Sequence, residues 1–259
     1  MVNMIKIATW NVNSLRVRLP QVLNWLTNTA PDIVALQETK MTDEQFPLEE
    51  IEAAGYHVLF SGQKTYNGVA LLSRSKGHDV IMDLPGLDDP QRRFLGATYD
   101  SLRVLNLYVP NGSAVGSEKY QYKLNWLNHL QDYIRDIKKH YPRLIVLGDF
   151  NIAPEDRDLY DPAAWAGNIL VSPPERAALQ DLLDLGLHDT FRLFEQAPAC
   201  FSWWDYRAGA FQRNHGVRID FILASQALAS DCTDCTIDIG PRRNERPSDH
   251  APVVATFRV

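Results

Sequence analysis

The chain has 259 residues, 45% of them hydrophobic, which is enough for a large core and suits an α/β fold of one domain spanning 1–259. A net charge of −6 argues against a protein that coats nucleic acid, but not against an enzyme that grips a few phosphates locally. Three cysteines give no disulfide framework, no signal peptide is visible, and no apolar run approaches the ~20 residues of a membrane span, so a monomer in a reducing cytoplasm is expected.

Ile5 to Trp10 alternates like a strand and ends at Asn11 and Asn13. Leu19, Val22, Leu23 and Leu26 repeat at helical spacing, with Pro20 suited to a first turn. Ile33 to Leu36 is a second apolar strand, closed by Gln37 and Glu38. Pro47 to Ala54 reads as a short helix stopped by Gly55, and Tyr56 to Ser61 and Val69 to Ser73 as a hairpin with a long loop. Phe94 to Tyr99 and Leu102 to Tyr108 form another hairpin, followed by the turn Pro110-Asn111-Gly112. Leu124, Leu127, Leu130, Ile134 and Ile137 mark one face of a long helix. Pro174 to Leu185 is a further helix. Arg218 to Leu223 and Val253 to Phe257 read as strands. Cys232 and Cys235 form a lone C-x-x-C, which without a second pair reads as spaced strand or loop cysteines rather than a zinc site. Strands outnumber helices, and hairpins and crossovers both occur, which predicts mixed sheets with helices outside.

The central stretch is Leu144-Ile145-Val146-Leu147-Gly148-Asp149-Phe150-Asn151. Its short branched run reads as a buried strand, and Asp149 and Asn151 leave its end two residues apart, on one side. Such a pair either makes a turn or holds and aims a water. Polar residues stand at other strand ends too: Asn11, Asn13, Glu38, Tyr108, Asn111, Asp220, Asp249 and His250. Carboxylates and amides with little sulfur suit a hard, oxygen-loving ion such as Mg²⁺. One histidine among aspartates suits acid–base or phosphate chemistry. No Gly-rich loop precedes a helix and no G-x-S-x-G elbow is present, so nucleotide cradling and covalent serine catalysis lack support.

Six segments together carry a resemblance: Trp10-Asn11-Val12-Asn13-Ser14-Leu15-Arg16, Leu36-Gln37-Glu38-Thr39-Lys40, Tyr66-Asn67-Gly68-Val69-Ala70, Gly148-Asp149-Phe150-Asn151, Arg218-Ile219-Asp220 and Ser248-Asp249-His250-Ala251-Pro252. Their order resembles the exonuclease III family, Mg²⁺-dependent DNA repair nucleases that include the abasic-site endonucleases. Ser202-Trp203-Trp204-Asp205-Tyr206-Arg207 and Arg246-Pro247-Ser248-Asp249-His250 are similar to its bacterial branch. The resemblance implies a four-layer sandwich, with two mixed sheets face to face and helices outside. It implies Glu38 as main ligand for Mg²⁺, or Mn²⁺ in its place, with Asn13 and Asp249 near the metal. It implies Asp149 to orient or deprotonate the water and Asn151 to hold the water or a phosphate oxygen. His250 would contact the scissile phosphate, oriented by Asp220, while Asn11, Tyr108 and Asn111 complete the phosphate pocket. Trp203, Val217 and Ile219 would wall a pocket for a flipped abasic sugar.

The expected substrate is double-stranded DNA with blocked 3′ ends or abasic sites. The expected reactions are removal of 3′ groups and nucleotides and incision at abasic sites. Arg92, Arg93, Lys119, Lys123, Arg207, Arg213, Arg218, Arg242, Arg243 and Arg246 are candidates for backbone contacts. The competing expectations are a 3′-end processing enzyme without endonuclease activity, a phosphatase acting on a non-DNA phosphoester, and an inactive scaffold.

Overall fold

The computed structural model describes residues 4–258. Its strands are β1 (Met4–Asn11), β2 (Ile33–Gln37), β3 (His57–Ser61), β4 (Val69–Ser73), β5 (His78–Ile81), β6 (Phe94–Tyr99), β7 (Leu102–Tyr108), β8 (Leu144–Asp149), β9 (Leu187–Asp189), β10 (Asp220–Ser225), β11 (Cys232–Ile237) and β12 (Val253–Arg258). The α-helices are α1 (Leu15–Thr29), α2 (Leu48–Ala53), α3 (Glu118–Ile137), α4 (Pro162–Trp165), α5 (Pro173–Asp184) and α6 (Gln226–Ala229).

The strands form two six-stranded mixed sheets, ordered β11-β12-β1-β2-β4-β3 and β5-β6-β7-β8-β10-β9. Ile7, Ala35, Leu71, Val104, Ile145, Ile222 and Ala255 pack between them as the central core. Trp25 and Leu26 of α1 and Ile51 of α2 cover the outer face of the first sheet. Trp126, Leu130 and Ile134 of α3 and Leu179 and Leu182 of α5 cover that of the second. This is the expected four-layer sandwich. The middle strands of each sheet are buried on both faces, so they read as unbroken apolar runs rather than as alternation.

Two features position the site. Gln37 Nε2 donates to Thr9 Oγ1 at 2.9 Å and, across the interface, to Asn106 Oδ1 at 2.8 Å. Asn106 Nδ2 in turn donates to the carbonyls of Leu36 and Ala70. These buried amides fix the sheets' relative placement beside Glu38, because a slip leaves polar groups unpaired away from water. The second feature is Gly148, which pairs with Leu107 on β7 at φ +145°.

Two features depart from expectation and one agrees with it. Pro20 lies inside α1 rather than in its first turn, which begins at Leu15. The short strands β5, β9 and β11 carry no apolar run; β5 is a mostly exposed sheet edge and β11 a half-exposed one. Cys232 and Cys235 lie on β11 as free thiols, matching the strand reading.

A Cβ at position 148 would stand 1.9 Å from the Leu107 carbonyl oxygen. Gly148→Ala must therefore pry β8 from β7 just before Asp149. We expect a loss of at least about 3 kcal/mol in urea unfolding; a loss under about 1 kcal/mol would show that the ladder there is not tight.

Candidate active site

The two sheets bring their polar strand ends to one edge. Asn11 closes β1, Glu38 follows β2, Tyr108 closes β7, Asp149 closes β8 and Asp220 opens the antiparallel β10. Asp249 and His250 lie just before β12. Asn13, Glu38, Lys40 and Asn151 all adopt positive φ, between 42° and 55°. Non-glycine residues in this region cost energy and gather where a turn must aim side chains.

Asn11 joins the two sheets chemically. Its Nδ2 donates to Glu38 Oε1 at 2.8 Å and to Asp149 Oδ2 at 2.9 Å, and its Oδ1 accepts the Asn13 amide. Asp149 Oδ1 accepts the Asn151 backbone N–H at 2.9 Å. The Asn151 side chain donates to the Val109 carbonyl and accepts from Asn111 Nδ2 at 3.1 Å. His250 Nδ1 donates to Asp220 at 2.9 Å, leaving Nε2 3.8 Å from Asp149 Oδ2. Ser202 Oγ accepts the backbone N–H groups of Ile219 and Asp220, and Ser248 Oγ accepts that of His250 while donating to the Asn11 carbonyl. The dyad is thus held from both sides.

Burial pushes the Asp149 carboxyl up, opposed by His250 and Asn11 and reinforced by Asp220 and Glu38, to about 7. Burial alone would lower His250, but the Asp220 and Asp149 carboxylates outweigh it and hold the imidazole protonated through neutral pH. Burial, with Glu38 and Asp149 adding to it, keeps the Tyr108 phenol well above its ordinary range, so its proton is retained. The Arg93 guanidinium lies 4.7 Å from the centroid of that ring.

Ligand atoms of Glu38, Asp149 and His250 lie within 4.8 Å of one another. Lys40 Nζ sits against Glu38 Oε2 at 2.8 Å and Asn13 Oδ1 at 2.5 Å. An ammonium held by these two oxygens demonstrates that they converge on a point suited to positive charge. The donor set is oxygen-rich, as a hard cation requires. Asp249 stands further along: its carboxylate accepts from Asn13 Nδ2 at 2.9 Å and Trp203 Nε1 at 3.0 Å. Those bonds, with His250, keep it in its charged form against burial. Glu38, Asn13 and Asp249 are therefore linked through Lys40 and the Asn13 amide rather than forming one tight cluster.

The expected sugar pocket has a different form. Trp203 is half-buried, but Val217 and Ile219 are fully buried, packed with Ala153, Leu159 and Leu170. Leu170, at φ +76°, belongs to the same buried apolar cluster, against which Ile169 and Trp165 pack. Three candidate DNA contacts are also buried. Lys123 pairs with Glu175, Arg218 with Asp158 and Asp189, and Arg242 lies among Trp204, Tyr206 and Phe211. Exposed basic side chains remain at Lys119, Arg207, Arg213, Arg243 and Arg246, with Arg92 and Arg93 half-exposed. Lys40, Ser202 and Ser248 were not singled out from sequence, although each lies inside one of the motif segments.

Residues 8–250 match the model of the Endonuclease/Exonuclease/phosphatase family. The chain belongs to that family. It is 38% identical to exodeoxyribonuclease III of Haemophilus influenzae, over 98% of this chain and 100% of that protein, which places it in the exonuclease III branch. The structure of the 3′ phosphatase NExo from Neisseria bound to product DNA hairpin superposes with a TM-score of 0.97 at 50% identity, covering 98% of this chain and 100% of that one. An AP endonuclease from Archaeoglobus fulgidus gives 0.95 at 41% identity, with 98% and 100% covered. This nuclease accordingly has a metal-dependent family's site, and among its described residues no helix is long and apolar enough to cross a membrane.

The raised Asp149 carboxyl has a consequence for stability. Its folded value lies above its ordinary 3.8, so ionisation disfavours the folded state. The cost grows as pH rises from about 4 to about 7 and is full above that. Asp149→Asn removes it. The variant's melting temperature relative to the parent should rise between pH 5 and pH 7.5; a difference that is flat or falls over this window would contradict the assignment.

Proposed function

We propose that this nuclease is a Mg²⁺-dependent DNA repair enzyme that hydrolyses phosphate groups and terminal nucleotides from 3′ ends of duplex DNA, with Mn²⁺ as a substitute ion. We assign it as a monomer of one domain in a reducing cytoplasm, which suits its free cysteines. The observation that carries the reading is the Asn11 amide shared by Glu38 and Asp149, beside the His250–Asp220 dyad. The full-length likeness to exodeoxyribonuclease III and to a 3′ phosphatase supports DNA as the substrate.

Glu38, with Asn13 and the Asp249 carboxylate behind it, would hold the metal, which when bound offsets negative charge on the phosphate and leaving oxygen. Asp149 acts on the water. Two hydrogen bonds fix its carboxylate, and an elevated proton affinity makes it a competent base near neutral pH. Asn151 is locked by Asn111 and Val109, so it presents one orientation to the water or a phosphate oxygen. His250 directs its protonated Nε2 at the phosphate while Asp220 occupies Nδ1, giving a preformed donor for developing charge. Tyr108, still protonated, is the available proton donor toward a leaving oxygen. Asn11 and Asn111 close the phosphate pocket.

A second reading, incision at internal abasic sites, is supported by the half-buried Trp203 indole beside the apolar cluster of Val217 and Ile219 and by the likeness to an AP endonuclease. The burial of Val217 and Ile219 in one cluster with Leu170 favours 3′ ends, because an extrahelical sugar must open that cluster to reach them. We therefore assign abasic incision as the weaker activity.

Two duplexes separate these readings: one nicked with a 3′-phosphate, one with an internal tetrahydrofuran abasic analogue. With Mg²⁺ we expect phosphate release from the first at least about tenfold faster than incision of the second, and EDTA should abolish both. Faster incision of the second would reverse the ranking. Action on neither duplex with Mg²⁺ present would defeat the nuclease assignment. Glu38→Ala should raise the Mg²⁺ concentration needed for half-maximal activity, and an unchanged concentration would place the ion elsewhere.

A further inference from the structure

Lys123 is on α3, and its ammonium is fully buried. An ammonium has three protons to donate. Lys123 Nζ directs them to the Asn151 carbonyl at 2.6 Å, the Asn111 carbonyl at 3.2 Å and Glu175 Oε1 at 2.5 Å. Two of its three partners are thus the main-chain carbonyls of the paired asparagines, whose side chains join at 3.1 Å in the phosphate pocket. Gly112, next to Asn111, packs so closely on this lysine that a Cβ there would meet its Cδ at 3.2 Å and Ile169 Cδ1 at 2.9 Å.

Glu175 is equally buried and turns the other way. Its Oε1 accepts the Leu170 N–H at 3.1 Å. Its Oε2 accepts the Ser172 N–H at 3.1 Å and the Ser172 hydroxyl at 2.6 Å. These bonds shape the 169–172 segment and the start of α5, and Leu170 in that segment belongs to the buried apolar cluster of Val217 and Ile219. One ion pair therefore reaches the phosphate pocket at one end and the 169–172 segment at the other.

Stability alone is a poor reason for such a pair. Desolvating two charges consumes most of what their attraction returns, and apolar replacement of both is often neutral. We propose that Lys123 is a positioning residue of the active site, and that the Lys123–Glu175 pair couples the placement of Asn111 and Asn151 to the placement of Leu170. It touches no substrate. It sets the two asparagines through their carbonyls, and it holds the 169–172 segment in register with them.

This proposal rests on the 3′-phosphate reading above, so the test begins with the parent on the nicked 3′-phosphate duplex; parent inactivity would refute that reading and remove the basis of this one. With an active parent, three variants are compared by kcat, KM and melting temperature: Lys123→Met, Glu175→Gln, and the double Lys123→Met/Glu175→Met. Each single change strands a polar or charged partner and should lower melting temperature and kcat together. The double change removes both charges but leaves the two asparagine carbonyls and the Leu170 and Ser172 donors unpaired, so it should recover only part of the melting temperature while kcat stays at least about tenfold below the parent, with KM for DNA within about threefold. Recovery of kcat alongside melting temperature in the double variant would reduce the pair to a structural role and overturn the proposal, as would a folded Lys123→Met with parental kcat. If Lys123→Met does not fold, the double variant decides alone. If the double does not fold either, the pair is required for folding and the proposal fails.

Discussion

Four carboxylates, Glu38, Asp149, Asp220 and Asp249, are gathered where two sheets meet, at positions with little access to water. Left unpaired they would repel one another and resist desolvation. The site answers with one imidazolium, one ammonium from Lys40 and a set of amide and indole N–H donors, of which Asn11 Nδ2 is the one that serves both sheets. The same arrangement that satisfies the carboxylates sets the protonation of the groups around them. Asp149 keeps an elevated proton affinity, His250 a proton, and Glu38 an oxygen turned toward a cation.

Rigidity behind this edge comes from features with no chemistry of their own. The Gln37–Asn106 contact ties β2 to β7, so residues just beyond those strands arrive together. Gly148 lets β8 approach β7 where any side chain would collide. Ser202 and Ser248 fix the backbone around Asp220 and His250. Beneath the phosphate pocket, Lys123 and Glu175 extend the same principle into the segment that carries Leu170.

Much of this was legible in the residues. Apolar runs located the core strands because strands buried on both faces need no alternation, and polar residues after those runs marked the edge where the candidate site gathers. The edge strands β5, β9 and β11 were not legible, since an edge or very short strand is specified by pairing rather than by pattern. Pro20 was misplaced because a helix held by a buried Trp25 and Leu26 tolerates one lost backbone bond. Charge identity misled at Lys123, Arg218 and Arg242. A sequence gives the charge but not its depth, and each of these side chains ends in a buried ion pair or an aromatic nest. The burial of Val217 and Ile219 in one cluster with Leu170 follows from the path of a loop, which residue pattern does not give.

The proposed mechanism depends on Asp149 acting on the water beside the phosphate. The direct measurement is single-turnover phosphate release from a nicked 3′-phosphate duplex by Asp149→Asn, with duplex binding measured in parallel. Binding should stay within about threefold of the parent while the rate falls by about 10²–10⁴. A rate within tenfold of the parent, at equal binding, would contradict it.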